Sequence, residues 1–308
     1  MGKRLLSCSS QEMMKLSKQE FLEAIAGSEG RILVSETIGV LQPMLLDVTN
    51  AEFAAAMGAD LIILNMFDVD EPVINGLPDV PKEEVIRELK RLAGRKIGIN
   101  LEPVDPTKSG MQAETMWQMT NGRKATVENV KKAISMGVDF IILTGNPGMG
   151  VTNTEIINSL KQIRQAVADE IVLVAGKMHG AGILSEGGEN IITQKDVDAF
   201  IGAGADVILF PAPGTVPGIT MEYIRSLVSF AHTKNVLTMT AIGTSQEGTD
   251  AATIRQIALM CKMTGTDIHH IGDTGFAGMA LPENIQAYSV AIRGIRHTYH
   301  RMAQSINR

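Results

Sequence analysis

Five side chains able to move a proton or stabilise charge stand in or just after short apolar runs: Glu36, Glu102, Lys177, His179 and His270. A carboxylate in an apolar setting can be a general base. A desolvated lysine can form a Schiff base or stabilise an enolate or phosphate oxygen, and histidine can give or take a proton near neutral pH. Glu36 or Glu102 is the expected base, Lys177 the electrophile or enolate stabiliser, and His270 the acid or an orienting group. His179, two residues beyond Lys177, is a second acid–base candidate. The same residues also have a plainer reading, in which Glu36 or Glu102 pairs with Lys177 and His270 is a hydrogen-bonded core group. Neutral polar residues at comparable positions, Asn65, Asn100, Thr144, Asn146 and Thr240, are expected to contact substrate. Glu36, Asp68 and Glu102 are the candidate ligand set for Mg²⁺ or Mn²⁺, without a His-Xaa-His pair or dense Asp motif beside them.

Two segments rich in glycine and hydroxyls, Gly243 to Asp250 and Gly272 to Met279, both run into helices. Such loops expose backbone N–H groups and a helix dipole to an anion. Gly243, Thr244, Ser245, Gly272, Asp273, Thr274 and Gly275 are therefore the expected phosphate site, with ordinary connecting turns as the other reading.

A recurring joint must position these residues. In four copies a helix ends in Gly, followed by a small residue, an Asp and a β-prone run: Met57-Gly58-Ala59-Asp60-Leu61, Met136-Gly137-Val138-Asp139-Phe140, Ala203-Gly204-Ala205-Asp206-Val207 and Thr264-Gly265-Thr266-Asp267-Ile268. Glycine supplies the left-handed residue that closes a helix, and a run apolar on both faces suits a buried parallel strand. Four further strands are expected at Ile32 to Glu36, Ile97 to Glu102, Ile171 to Lys177 and Val236 to Ile242. Amphipathic helices intervene, such as Pro81 to Ala93 with Val85, Ile86 and Leu89 inward, and Asn153 to Val167 with Ile156, Ile157, Leu160 and Ile163 inward. Eight alternating units predict a closed parallel (β/α)₈ barrel over residues 31–308. Residues 1–30 form an N-terminal helical extension, with Ser17-Lys18-Gln19-Glu20 as a capping box and a place under the barrel floor or along its side.

In such a barrel the site lies at the C-terminal strand ends, where the polar residues above converge. Alignment of the repeats puts His270 at the position of Ile63, Ile142 and Leu209, on the same face as Asn65 and Thr144. His270 is thus expected inside the barrel and His269 towards the helices. Pro282 opens a final helix whose basic end, Arg293, Arg296, His297, His300 and Arg301, reads as cations offsetting a helix dipole. Long loops are expected at Asp68 to Pro81, Val104 to Thr126 and Gly180 to Asn190. The second carries Trp117 among Met111, Met116 and Met119, and reads as a lid or a homo-oligomer contact.

The 308 residues carry 28 basic and 34 acidic side chains, a net charge of −6 that argues against a nucleic-acid partner. With 44% hydrophobic and 20% charged residues, the chain can bury a core without disulfides or metal. Its two cysteines offer no disulfide framework. No apolar run reaches membrane-spanning length, and the apolar stretch before Cys8 is two residues, too short for an export signal. A soluble cytoplasmic protein is expected.

The runs Ala59 to Asn65, Lys177-Met178-His179 and the closing glycine loops resemble phosphate-binding (β/α)₈ barrels. The stretch from Ala241 to Gly248 through Asp267 to Asp273 resembles an uncharacterised bacterial barrel family labelled phosphoenolpyruvate phosphonomutase-like or haloacid-dehalogenase-like. Strands two to five are more loosely similar to BtpA-type barrels. The resemblance implies an enzyme acting on a small phosphorylated or carboxylated metabolite, by lyase or isomerase chemistry next to a carbonyl. Two alternatives stay open: a non-catalytic barrel that binds a phosphorylated ligand and regulates or assembles partners, and a metal-assisted hydrolase.

Overall fold

The computed structural model describes residues 2–104 and 119–308. Met111, Met116 and Trp117, expected as a lid or oligomer contact, lie outside the described residues. Eight parallel strands close in chain order: β1 (Ile32–Ile38), β2 (Leu61–Asn65), β3 (Lys96–Leu101), β4 (Phe140–Leu143), β5 (Val172–Gly176), β6 (Val207–Pro211), β7 (Leu237–Ile242) and β8 (Ile268–Ile271). The closing pair matches Ile32 with Ile268 and Val34 with His270. Strand alternation divides the core in two. Ile32, Val34, Leu61, Ile63, Ile142, Val174, Leu209 and Met239 fill the barrel interior. Leu33, Ile62, Leu64, Ile99, Leu143, Leu173, Ile208 and Ile271 face the surrounding helices. A Cβ on Gly98 would stand 2.2 Å from the Phe140 ring, so glycine there lets that ring fill the interior.

The outer helices are α3 (Asn50–Ala56), α4 (Val85–Ala93), α5 (Val127–Met136), α6 (Asn153–Val167), α7 (Gln194–Gly202), α8 (Met221–Thr233), α9 (Ala251–Thr264) and α10 (Pro282–Ala303). Before them come α1 (Ser10–Lys15) and α2 (Lys18–Ala26). The expected capping box at Ser17 and Glu20 opens α2, and a second one, Ser9 with Glu12, opens α1. Met13, Phe21 and Ile25 pack with Ile32, Leu61 and Phe140, so the extension seals the floor of the barrel.

The four-copy joint has one structural job. Its glycines Gly58, Gly137, Gly204 and Gly265 all take positive φ, closing the helix before the strand. Each following aspartate then reads the preceding strand. Asp60 accepts from Leu33 N at 2.9 Å and Asp139 from Ile97 N at 2.9 Å. Asp206 accepts from Leu173 N and Asp267 from Thr238 N, each at 2.8 Å. The repeat therefore locks β1–β2, β3–β4, β5–β6 and β7–β8 in register at the floor.

One expectation about charge needs correction. Arg293 and Arg301 are not solvated cations at a helix end; both are buried and both bind Asp60. Burial works against the charge on Asp60, but the two guanidiniums outweigh it and lower its pKa. α10 also contains a break at Gly294, where φ is 76° and ψ 167°.

Candidate active site at the strand ends

A cavity of about 330 Å³ opens at the C-terminal end of the barrel. The strand ends bring Glu36, Asn65, Asn100, Glu102, Asn146, His179, Gly243, Ser245, Gly272, Asp273 and Gly275 to its wall. Sequence reasoning missed Glu247 and Arg123 as site residues, and both stand in the same wall. Glu247 had a visible signal, a lone carboxylate in the glycine loop after β7. Arg123 had less, lying inside the long segment from Val104 to Thr126.

Three carboxylates form the chemical centre. Asp273 accepts from Asn65 Nδ2 and from Gly275 N, each at 2.8 Å. Burial, reinforced by the nearby Glu36 charge and opposed by these hydrogen bonds, raises Asp273 to about 7. Glu247 is also raised, first by burial, and Glu36 adds to the shift while His270 counters it. Its Oε1 accepts from Thr274 N at 3.2 Å, and its Oε2 has no hydrogen-bond partner. Glu36 reaches down to His270, whose Nε2 lies 3.1 Å from Glu36 Oε2. His270 therefore sits inside the barrel, as the face argument requires. His269 faces the helices, between Tyr288 Oη at 3.2 Å and Gly30 O at 3.0 Å, and burial lowers its pKa to about 4.

The neighbouring polar groups form one chain. Asn65 Nδ2 binds Asp273, and Asn100 Nδ2 reaches Asn65 Oδ1 at 3.4 Å. Asn100 Oδ1 and Thr144 Oγ1 are buried without a partner, and such groups are costly unless a ligand or water satisfies them. Asn146 is engaged by its own turn, accepting from Gly148 N at 2.8 Å. Left-handed non-glycine residues cluster here as well, at Met66, Ser245 and Thr274, with φ of 57°, 79° and 54°. Strain of this kind persists where the surroundings fix a conformation and gathers at functional sites.

Other expected residues lie elsewhere. Lys177 continues the helix-facing register of Leu173 and Ala175, is buried, and pairs with Glu186. It does not line the cavity. Thr240 takes the same side of β7, where it is buried and its Oγ1 has no hydrogen-bond partner. Both were expected at the site because they end strands, but their place in the two-residue period turns them away. Glu102 lines the cavity already paired with Arg123, and burial raises its pKa against that cation. His179 accepts from Ala181 N at 3.2 Å, and burial, helped by Lys177, lowers its pKa.

The structure also redraws the expected phosphate corner. The N–H groups of Thr274 and Gly275 already serve Glu247 and Asp273. Thr244 Oγ1 donates to Thr215 O at 2.7 Å and lies 2.6 Å from Gln246 Oε1, while Thr274 Oγ1 bonds Asp273 O at 2.7 Å. The β8 loop thus cradles the chain's own carboxylates where an incoming anion was expected. The metal set is not assembled either. Asp68 accepts from Asp70 N and Glu71 N in its own loop, and among the described residues no three His, Cys, Asp or Glu side chains form a metal-holding group. Glu36, Asp68 and Glu102 do not fit Mg²⁺ or Mn²⁺ as a trio.

The sequence model of a family described as a domain of unknown function (DUF7916) matches residues 6–308. The chain belongs to the DUF7916 family. No curated protein matches this chain. Among solved structures it is similar to a 2,3-dimethylmalate lyase described as a PEP mutase/isocitrate lyase superfamily member, at 12% identity, covering 83% of this chain and 81% of that one, TM-score 0.50. A phosphonopyruvate hydrolase matches at 15% identity over 83% and 81%, TM-score 0.49. A thiamine phosphate pyrophosphorylase from Pyrococcus furiosus matches at 12% over 86% and 96%, TM-score 0.48. At such identities the likeness concerns the fold alone. The haloacid-dehalogenase and BtpA resemblances find no support in these matches. No helix among the described residues of the DUF7916 barrel is long and apolar enough to cross a membrane.

Proposed function

We propose that this barrel is an enzyme that moves a proton at the carbon next to a carbonyl of a small carboxylated metabolite, the chemistry of a lyase or isomerase. The observation that carries the reading is Asp273, a cavity-wall carboxyl poised at about 7. A base with that pKa is about half ionised at neutral pH and is far stronger than an ordinary carboxylate. Its causes are built into the fold, namely burial and the adjacent Glu36.

In this reading Asp273 takes the carbon-bound proton and returns it. Glu247, whose pKa burial raises and whose Oε2 has no partner, stands in the same wall beside the reacting carbon. Asn65 orients Asp273, and the Glu36–His270 pair sets the local charge. Asn100 Oδ1 in the cavity wall offers an unsatisfied acceptor to a substrate hydroxyl. Arg123 is the cation in the wall nearest a role in holding a carboxylate. The spent donors of the β8 loop favour the carboxylated over the phosphorylated half of the expectation.

The test is proton exchange without turnover to product. The enzyme is incubated with 2-oxo acids in D₂O, and loss of the C3–H signal is followed by proton NMR. Catalysed exchange that rises with pD to a plateau above neutrality, and falls at least about a hundredfold in Asp273→Asn, is expected. Exchange that survives this substitution removes Asp273 from the reaction.

A further inference from the structure

A second, apolar cavity of about 470 Å³ lies beside the first, between the β5, β6 and β7 loops. His179 and Gly243 belong to the walls of both. We infer that this annex receives an apolar arm of the substrate, so that the molecule turned over here is a carboxylic acid carrying an alkyl or aryl substituent of several carbons.

The annex wall has the chemistry for such an arm and little for a polar one. Ile183, Leu184, Ile191, Val216 and Pro217 supply its apolar surface. The two hydroxyls present, Thr215 and Thr244, are already spent, Thr215 Oγ1 donating to Ala212 O at 2.7 Å and Thr244 Oγ1 to Thr215 O at 2.7 Å. A hydrogen-bonding guest would find those donors occupied, whereas methylene groups lose nothing there. Gly243, common to both walls, packs tightly against Met178, whose Sδ would stand 2.7 Å from a Cβ at that position.

Leu184 is the second sign. It is 95% exposed, the most exposed large apolar side chain among the described residues, yet it belongs to the annex rim. The neighbouring residues of its loop are fastened. Glu186 pairs with Lys177, and Tyr223 Oη donates to Glu189 O and Ile192 O, each at 2.9 Å. Gly182, with φ of 80°, and Gly187 flank the short turn that carries Leu184. A leucine in water on a tethered loop above an apolar cavity gains its burial when an apolar arm lies beneath it. Lys177 then acts as a positioning residue: by holding Glu186 it holds this rim.

The inference rests on the proposed acid–base reading of the adjoining cavity, and titration calorimetry with the intact protein separates the two. The probes are straight-chain 2-oxo acids from pyruvate to 2-oxo-octanoate. Affinity is expected to rise about three- to fourfold per added methylene until the annex is filled. Leu184→Ala, at an exposed position that does not endanger folding, is expected to weaken the long acids about fivefold and leave pyruvate unchanged. Val216→Asp, checked for folding by thermal melting, is expected to flatten the series. Affinity that stays flat with chain length, or no binding by any member, overturns the annex. Growing affinity without C3–H exchange in any acid keeps the annex and removes the proposed chemistry. Exchange that depends on Asp273 with flat affinity does the reverse.

Discussion

The two ends of the barrel treat buried charge in opposite ways. At the floor, all four carboxylates of the repeat meet a strand N–H, and three of them meet a cation. Asp60 has Arg293 and Arg301, Asp139 has Lys90 and Lys96, and Asp206 has Lys18 and Arg164. Asp267 has His232, whose pKa that hydrogen bond raises. At the mouth, Glu36, Glu247 and Asp273 are gathered within one another's field, and burial is the leading cause of the upward shifts in Asp273 and Glu247. Like charges brought together out of water favour the protonated form of one of them. The floor uses charge to hold register; the mouth holds carboxyl groups where a proton is easily exchanged. Residue type does not tell the two apart, since both ends are rich in carboxylates. Partnership does.

The largest effect should come from breaking the floor. Asp60→Ala leaves Arg293 and Arg301 buried without their counter-ion, and a cost of about 3 to 5 kcal/mol is expected. Chemical denaturation should show it as a lower midpoint with an unchanged slope. A change below about 1 kcal/mol would mean the floor charges are not coupled as the geometry implies.

At the mouth the corresponding test is pH. The folded-state pKa of Asp273, about 7, stands above its ordinary 3.8. The folded protein therefore keeps a proton that the unfolded chain releases between those values. The stability this contributes is fully present below about pH 4 and is lost as pH rises through about 7, on the order of 4 kcal/mol in all. Asp273→Asn should remove that slope and leave the protein more stable than the parent at pH 8, while abolishing exchange. A parent protein whose stability is flat between pH 5 and 8, after the other titrating groups are allowed for, would contradict the raised pKa. Stabilisation at the expense of activity is what a strained functional group predicts.

How far the sequence could be read follows the same division. The strands were legible because the repeat is local: Gly, a small residue, Asp and an apolar run lie within a few positions, and their periodicity gives the barrel. The choice of His270 over His269 was legible too, because a period of two needs only a register. The same rule, carried through β5 from Leu173 and Ala175, turns Lys177 outward. Choosing it for its chemistry overrode its register. The glycine loops were less legible. Whether the N–H groups of Thr274 and Gly275 stay open to an anion depends on Glu247, brought from 27 residues away in sequence to meet Thr274, and no local motif records that meeting. The basic end of α10 failed for a similar reason, since the partner of Arg301 is Asp60, 241 positions earlier.

Lys177 gives the smallest effect and the sharpest contrast between chemistry suggested by residue type and chemistry permitted by placement. It is buried at the C-terminal end of β5, where a nucleophilic or electrophilic lysine would be expected, but it faces the helices and Glu186. Lys177→Met keeps the length and apolar stem of the side chain and removes only the charge. Glu186 is partly exposed and can be hydrated when its partner is lost, so the stability cost should be about 1 kcal/mol, below that of a fully buried pair. C3–H exchange on pyruvate should change by less than about tenfold, whereas loss of a Schiff-base lysine would abolish turnover. Affinity for the longest 2-oxo acids should fall more than affinity for pyruvate, because the released Glu186 lets the Leu184 rim move away from the annex. A pyruvate exchange rate that collapses in Lys177→Met would bring this lysine back into the reaction.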